Sequence, residues 1–209
     1  VDELHVFLNN YPATPKYLQN PKISVYRSQD YHDLGDAGKF FTVGKKRGFY
    51  LAIDDDIIYP EDYVWKLVNE IRGNIRAGRR VAVGLHGRIM HEHVEHYYRG
   101  HTRMFHCASA LEGERAVHVL STNAVAFHTD DLPITINDFN GPKNMADIHF
   151  SIACQKHDVG CVVLPHLASY VKIQSIPTAR TIWGRYRNND QVQTDLYNSW
   201  KAWQIRVQN

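Results

Sequence analysis

Three features are scarce in this 209-residue chain: cysteine, net charge and long apolar runs. Its three cysteines, Cys107, Cys154 and Cys161, are widely spaced and odd in number, so they predict neither a disulfide framework nor a zinc site. The formal net charge of +2 gives no reason to expect a nucleic acid partner. No run approaches the roughly 20 apolar residues that span a bilayer, and no signal peptide is visible. We therefore expect a reducing, cytoplasmic location, with peripheral association at a membrane left open.

The length and composition are those of an ordinary globular protein. Hydrophobic residues make up 44% of the chain and charged residues 22%, so the sequence can form a sizeable core. No repeat, low-complexity tract or linker divides it, and we expect one domain over residues 1–209. Because the chain opens in the middle of a strand–helix pattern, we also expect the usual first strand of such a domain to be missing.

Short apolar runs alternate with amphipathic ones along the chain. The apolar runs predict strands at residues 4–8, 23–26, 49–53, 81–85, 117–120, 124–127 and 161–164. The amphipathic runs predict helices at residues 60–77, 147–157 and 191–207. Residues 86–118 are polar and rich in histidine, which indicates a long functional excursion or a small meander. The alternation predicts an α/β fold with a mostly parallel central sheet flanked by helices.

An acidic triplet, Asp54-Asp55-Asp56, directly follows the apolar run Phe49 to Ile53. Because alternate residues of an extended chain share a face, Asp54 and Asp56 can converge on one cation while Asp55 points elsewhere. Oxygen ligands suit Mg²⁺ or Mn²⁺, and Mg²⁺ is typically held by one or two carboxylates together with phosphates. The triplet therefore indicates metal-assisted handling of a nucleoside diphosphate. The alternative is a surface turn that leads into the helix after Pro60.

The densest histidine cluster is His91, His93 and His96. Its spacing matches no helical pair of zinc ligands, and no fourth ligand stands nearby in the sequence. We therefore expect a solvated polar loop at these residues.

Several segments together carry a family resemblance. They are Val25-Tyr26-Arg27-Ser28-Gln29-Asp30, Gly35-Asp36-Ala37-Gly38-Lys39-Phe40, Asp54-Asp55-Asp56-Ile57-Ile58-Tyr59-Pro60, His86-Gly87, Ala124-Val125-Ala126-Phe127-His128 and Asn144-Met145-Ala146-Asp147-Ile148-His149-Phe150. Over about residues 1–170 the chain resembles the nucleotide-sugar glycosyltransferases of the GT-A (Rossmann-like) fold, specifically those similar to glycosyltransferase family 2 of surface-polysaccharide synthesis. The aspartate triplet with its flank and the segment around Asp147 are the specific parts of this likeness.

The resemblance implies a role for particular residues. It places Asp54 and Asp56 at the positions of the metal-binding DXD motif, with His166 as a third metal ligand; a histidine at the edge of the core is the alternative for His166. It places the donor nucleotide against Asn10, Asp36, Lys39, Asp54 and Asp55, where Asn10 stands in for an acidic residue and a solvated helix residue is the alternative for Lys39.

The resemblance also implies a reaction. Asp147 would be the catalytic base, although an aspartate in this place can instead cap the helix that begins there. The expected activity is a metal-dependent, inverting transfer from a nucleotide-sugar donor, with UDP preferred, to a hydroxyl of a carbohydrate acceptor. Candidates for the acceptor side are His86, Tyr97, Tyr98, Thr122 and Asn123. The alternatives are a silent nucleotide-sugar or carbohydrate-binding module and a sugar nucleotidyltransferase, although the Gly-rich triphosphate loop of the latter is absent from the sequence.

Overall fold

A computed structural model describes residues 1–206 of the chain. The strands are β1 (Leu4–Leu8), β2 (Ile23–Arg27), β3 (Phe49–Ile53), β4 (Ile57–Ile58), β5 (Val81–Gly84), β6 (Gly87–Met90), β7 (His101–Phe105), β8 (Arg115–Ala116), β9 (Val119–Leu120), β10 (Ala124–His128), β11 (Gly160–Val163) and β12 (Lys172–Ile173). The α-helices are α1 (Ser28–Tyr31), α2 (Tyr63–Arg76), α3 (Ala146–Lys156), α4 (Ile182–Tyr186) and α5 (Gln191–Ser199). Short 3-10 helices cover Lys16–Leu18, Gly35–Phe40, Ile136–Phe139 and Thr178–Arg180.

The largest sheet has five strands in the order β3-β10-β5-β11-β8. Only β5 and β11 run parallel within it, and the other three neighbouring pairs are antiparallel. The remaining strands form three smaller sheets, of which β1-β2 is parallel while β12-β4 and β7-β6-β9 are antiparallel. The predicted GT-A fold with a mostly parallel central sheet is therefore wrong: the molecule is a mixed α and β structure built on several small sheets.

Burial on both faces of the sheet explains the apolar runs that suggested parallel strands. In β10, Val125 and Phe127 enter one buried cluster while Ala124 and Ala126 enter the other. A strand buried on both sides is apolar at every position, whichever way its neighbours run. The apolar run thus predicted burial, but it carried no information about strand direction.

Two helices pack on opposite faces of the sheet. Leu67 and Ile71 of α2 are fully buried in the cluster that covers one face of the sheet. Phe150 and Ala153 of α3 lie in the cluster on the other face. The end of β3, the start of β10 and the start of α3 are thereby held in fixed positions, and Asp54, Asp56 and Asp147 lie at or beside these segments.

The residues predicted as a long excursion or a small meander contain paired strands, as the second alternative expects. Within residues 86–118, β6 and β7 form an antiparallel ladder in which Gly87 lies opposite Phe105, and β8 joins the large sheet. Residues 91–100 between these two strands are a loop with three exposed histidines, which matches the expectation for His91, His93 and His96.

The last predicted helix is too long. α5 ends at Ser199, and Trp200 is already extended. Trp203 folds back so that its indole N–H donates to the Tyr197 carbonyl oxygen at 3.0 Å and the two rings stack at 4.6 Å. Packing of the two aromatic rings therefore ends the helix where hydrophobic spacing alone predicted continuation to residue 207, a residue outside the described part of the chain. None of the helices within residues 1–206 is long and apolar enough to cross a membrane.

Candidate functional site

Lys39 lies at the centre of an acidic group of side chains. Its ammonium forms an ion pair with Asp54 Oδ1 and lies 3.5 Å from the carbonyl oxygen of Thr122. Burial alone would lower the pKa of Lys39, but the charges of Asp54, Asp36 and Asp147 outweigh it and raise that pKa. The lysine is therefore a permanent cation that joins the end of β3 to the segment before β10.

The aspartate triplet follows β3 with alternating exposure. Asp54 and Asp56 are half-buried and Asp55 is exposed. The backbone N–H of Asp54 donates to the Tyr59 hydroxyl oxygen at 2.9 Å, and that hydroxyl donates to the Asn123 carbonyl oxygen. Burial, together with the charges of Asp54 and Asp55, raises the pKa of Asp56. A cation beside Asp56 would favour its ionised form.

Asp36 lies in the 3-10 helix that precedes Lys39. Its Oδ2 accepts a hydrogen bond from the backbone N–H of Ala146 at 3.0 Å, while its Oδ1 is buried with no partner among the described residues. Burial raises the pKa of Asp36 to about 6, and the charges of Asp147 and Asp54 add to this rise while Lys39 opposes it. Asp36 also lines a cavity of about 90 Å³ together with Lys143 and His149.

Asp147 is anchored by three hydrogen bonds. Its Oδ1 accepts from both the backbone N–H and the hydroxyl of Thr122 at 2.7 Å, and its Oδ2 accepts from the Ser121 hydroxyl at 3.0 Å. A carboxylate has about four lone-pair positions, so Oδ2 keeps one open. The side chain faces the segment before β10, and the residue at the helix N-cap is Met145.

Asn10 follows the end of β1, and its hydrogen bonds within residues 1–206 go to Ser28 and Asp33 rather than to the acidic group. It is exposed, its backbone is left-handed, and its amide contacts Asp33 at 3.4 Å. The neighbouring Asn9 forms closer contacts: it accepts from Leu34 N–H at 3.2 Å and donates to the Gly35 carbonyl oxygen at 2.7 Å. Asn9 therefore positions the loop that leads to Asp36, a role that no signal in the sequence indicated.

His166 is buried beyond the end of β11. Its Nδ1 lies 2.7 Å from the Leu164 carbonyl oxygen and its Nε2 lies 3.4 Å from the His106 carbonyl oxygen. Both ring nitrogens thus face backbone oxygens. Within the described residues 1–206, the ligand atoms of Asp54, Asp56 and His166 do not lie close enough together to hold one metal ion. The structure does gather such a group elsewhere, from His86, His106 and Cys107.

Two of the predicted acceptor residues, Tyr97 and Tyr98, flank an arginine that sequence reasoning missed. The Arg88 guanidinium lies 5.4 Å from the centre of the Tyr97 ring and 5.5 Å from that of Tyr98. Tyr97 is buried, whereas Tyr98 is half-buried and burial raises its pKa to about 12. His86 and Asn123 lie nearer to Cys107, and Asn123 Nδ2 donates to the cysteine sulfur at 3.9 Å. The ring of Tyr97 is consequently a packing element, and Tyr98 is the more accessible of the two.

The acidic group suits a hard divalent cation. Four carboxylates, those of Asp36, Asp54, Asp56 and Asp147, act on the ammonium of Lys39 or on one another, and these five side chains carry three negative charges in excess when all are ionised. Oxygen donors of this kind favour Mg²⁺ and Mn²⁺. No protein-family model matches this sequence, and no curated protein matches it either. The chemistry of the acidic group is therefore inferred from the positions and charges of its own side chains.

Proposed function

We propose that this protein transfers a sugar from a nucleoside diphosphate donor to a hydroxyl of a carbohydrate acceptor, with the help of Mg²⁺ or Mn²⁺. The observation that carries the proposal is the group of four aspartates around Lys39. Two of these carboxylates follow β3, one lies in the first turn of α3, and one lies in the 3-10 helix Gly35–Phe40. The proposal keeps the chemistry that the sequence resemblance implies, with UDP as the first donor to test, and does not depend on a parallel sheet.

Asp54 and Asp56 are the residues that would hold the cation. Both are half-buried at the end of β3, and the charge of Asp54 acts on Asp56. Two carboxylates and a diphosphate form a typical ligand set for Mg²⁺. When bound, such a cation supplies Lewis-acid stabilisation of the negative charge on a leaving diphosphate.

Lys39 serves the donor side as a second cation. Its ammonium already joins Asp54 to the Thr122 carbonyl oxygen, so it stands between the two halves of the acidic group. Charge-assisted hydrogen bonds from an ammonium to a phosphate oxygen are among the strongest that a side chain forms. A diphosphate that approaches Asp54 can exchange this intramolecular ion pair for one with the phosphate.

Asp147 is the group that can accept a proton from the acceptor. Its Oδ1 is fully used by Thr122, whereas Oδ2 accepts only from Ser121 and has a lone pair open. In the proposed step the acceptor oxygen bonds to the anomeric carbon and its proton passes to Oδ2. The bond from that carbon to the phosphate oxygen breaks, and its electron pair leaves with the diphosphate. A single displacement of this kind inverts the anomeric centre.

Replacement of Asp147 by Asn tests the assignment of the base. An asparagine Oδ1 can still accept from Thr122, so the fold is retained while the proton acceptor is lost. We expect release of UDP from a panel of UDP-sugars to fall by about 10²- to 10⁴-fold, the usual contribution of a general base. The dissociation constant for UDP should change less than threefold in calorimetry.

The matched control is Asp130→Asn, which removes an exposed carboxylate from the turn after β10 and should leave both quantities unchanged. An Asp147→Asn variant that retains full activity would overturn the assignment of the base. A wild-type protein that binds UDP and releases none from any donor would instead be a binding module.

A further inference from the structure

The register of a hairpin brings three nitrogen and sulfur metal ligands together. Gly87 of β6 lies opposite Phe105 of β7, so the next residues outward, His86 and His106, also face each other. Their ring centres are 4.8 Å apart. Cys107 follows His106 directly and is fully buried. One ring nitrogen of each histidine and the cysteine sulfur all lie within 4.8 Å of one another.

Two observations indicate that these side chains are placed for a ligand. The Nε2 of His86 is buried and has no hydrogen-bond partner among residues 1–206, which is costly for a polar atom. Nearby, Asn123 donates to the Cys107 sulfur at 3.9 Å and its own Oδ1 is buried without a partner. A hydrogen bond to the ligating sulfur is the usual second layer of contacts around a metal.

We propose that His86, His106 and Cys107 form a zinc site, separate from the acidic site of the proposed function. Two imidazoles and a thiolate bind Zn²⁺ in preference to Mg²⁺. Three protein ligands leave a fourth tetrahedral position open for water. Tetrahedral bonds of about 2.0–2.3 Å require the ligand atoms to approach one another by roughly 1 Å from their present separation. Rotation of the half-buried His106 provides this movement.

The contacts that zinc would replace are weak. His106 Nδ1 accepts a long hydrogen bond of 3.2 Å from the backbone N–H of Ala108. Ligation through either ring nitrogen ends this contact, since Nδ1 then carries either the metal or a proton. The sulfur of Cys107 would keep its hydrogen bond from Asn123, which is compatible with a thiolate.

The charges around the cluster act in opposite directions once the thiol is ionised. The Arg88 guanidinium acts on both His86 and His106 and opposes a bound cation. The Asp54 carboxylate also acts on Cys107, but its charge is already balanced by the Lys39 ammonium. The Cys107 thiolate therefore supplies the negative charge that a bound divalent ion would meet at this cluster.

Cobalt substitution tests the site directly. Protein stripped with a chelator and titrated with Co²⁺ should develop the near-ultraviolet charge-transfer band that a thiolate ligand produces, and one equivalent of Zn²⁺ should abolish it. Cys107→Ser should remove the band and weaken Zn²⁺ binding by more than about tenfold. Cys154→Ala, which removes another buried cysteine, should retain both. His106→Gln provides a second variant in case Cys107→Ser fails to fold.

Three outcomes would overturn the proposal: no thiolate band in the wild type, a band that survives both Cys107→Ser and His106→Gln, or a band that disappears in Cys154→Ala. Replacement of both Asp54 and Asp56 by Asn should leave the cobalt band in place, although it removes the cation site of the proposed function. Failure of the zinc site and failure of the nucleotide site are therefore distinguishable.

Discussion

For some residues of the acidic site the sequence predicted exposure and orientation, and for others their contacts depend on the folded structure. The alternation of exposure along Asp54-Asp55-Asp56 could be predicted, because it depends only on local backbone geometry. The partners of Asp147 could not, because Ser121 and Thr122 precede it by 26 and 25 residues. The ion pair of Lys39 with Asp54 is also a tertiary contact. Sequence thus named the candidate carboxylates, while packing determined which groups hold them.

The raised pKa of Asp36 has a consequence for stability. Its ordinary pKa is 3.8, and burial raises it to about 6 in the folded protein. Between these two values the folded state binds more protons than the unfolded state, so the free energy of unfolding falls as the pH rises through this window. The ionised Asp36 therefore destabilises the fold above about pH 6.

Asp36→Asn should remove this dependence. The asparagine oxygen can still accept from the Ala146 N–H, and the charge that costs stability is gone. We expect the variant to have a higher melting temperature than the wild type at pH 7, with a difference that shrinks as the pH approaches 4. The gain in the free energy of unfolding is at most about 1.4 kcal/mol for each unit by which the folded-state pKa of Asp36 exceeds its ordinary value. Thermal melts across this range provide the measurement, and a variant less stable than the wild type at pH 7 would contradict the account.

At the scale of elements, sequence located the segments better than it oriented them. β3 covers the predicted residues, and α2 and α3 lie within a few residues of their predicted positions. The predicted strand direction was wrong because β10 is buried on both faces, and a strand buried in this way gives the same apolar run in either orientation. Sequence left a small meander open for residues 86–118 but did not place the strands of the β6–β7 hairpin, because only the ends of β7, His101 and Phe105, are even half-buried.

Two glycines test the packing of elements in opposite directions. A Cβ on Gly87 would lie 2.8 Å from Val163 Cγ2, 2.9 Å from Val117 Cγ2 and 3.0 Å from the Val119 carbonyl oxygen. Gly73 lies inside α2, and a Cβ there meets nothing within 4 Å. We expect Gly87→Ala to lower the free energy of unfolding by about 1–3 kcal/mol through overpacking. Gly73→Ala should raise it by up to about 1 kcal/mol through helix propensity.

Urea denaturation of the two alanine variants measures both effects on one scale. Gly73→Ala serves as the matched control, since it makes the same chemical change at an open position. Equal stability of the two variants would show that the close contact of β6 with its neighbours does not constrain the fold.

For the whole molecule, the central claim is that the excess negative charge at the end of β3 binds a divalent cation together with a nucleoside diphosphate. Sequence predicted the carboxylates, the cation and Lys39, and the structure adds the ion pair of Lys39 with Asp54. Sequence reasoning did not name Asn9 or Arg88, because their roles depend on contacts between segments distant in the chain. The proposed donor site is therefore a property of the assembled fold.

Calorimetric titration of UDP in Mn²⁺ and in chelator tests this claim most directly. We expect binding in Mn²⁺, loss of that binding in chelator, and the same loss when Asp54 and Asp56 are both replaced by Asn, whereas the exposed control Asp195→Asn should bind normally. At 100 times its dissociation constant, UDP should also add about 2.7 kcal/mol to the free energy of unfolding. Equal affinity for UDP with and without Mn²⁺, or in the double variant, would contradict the account.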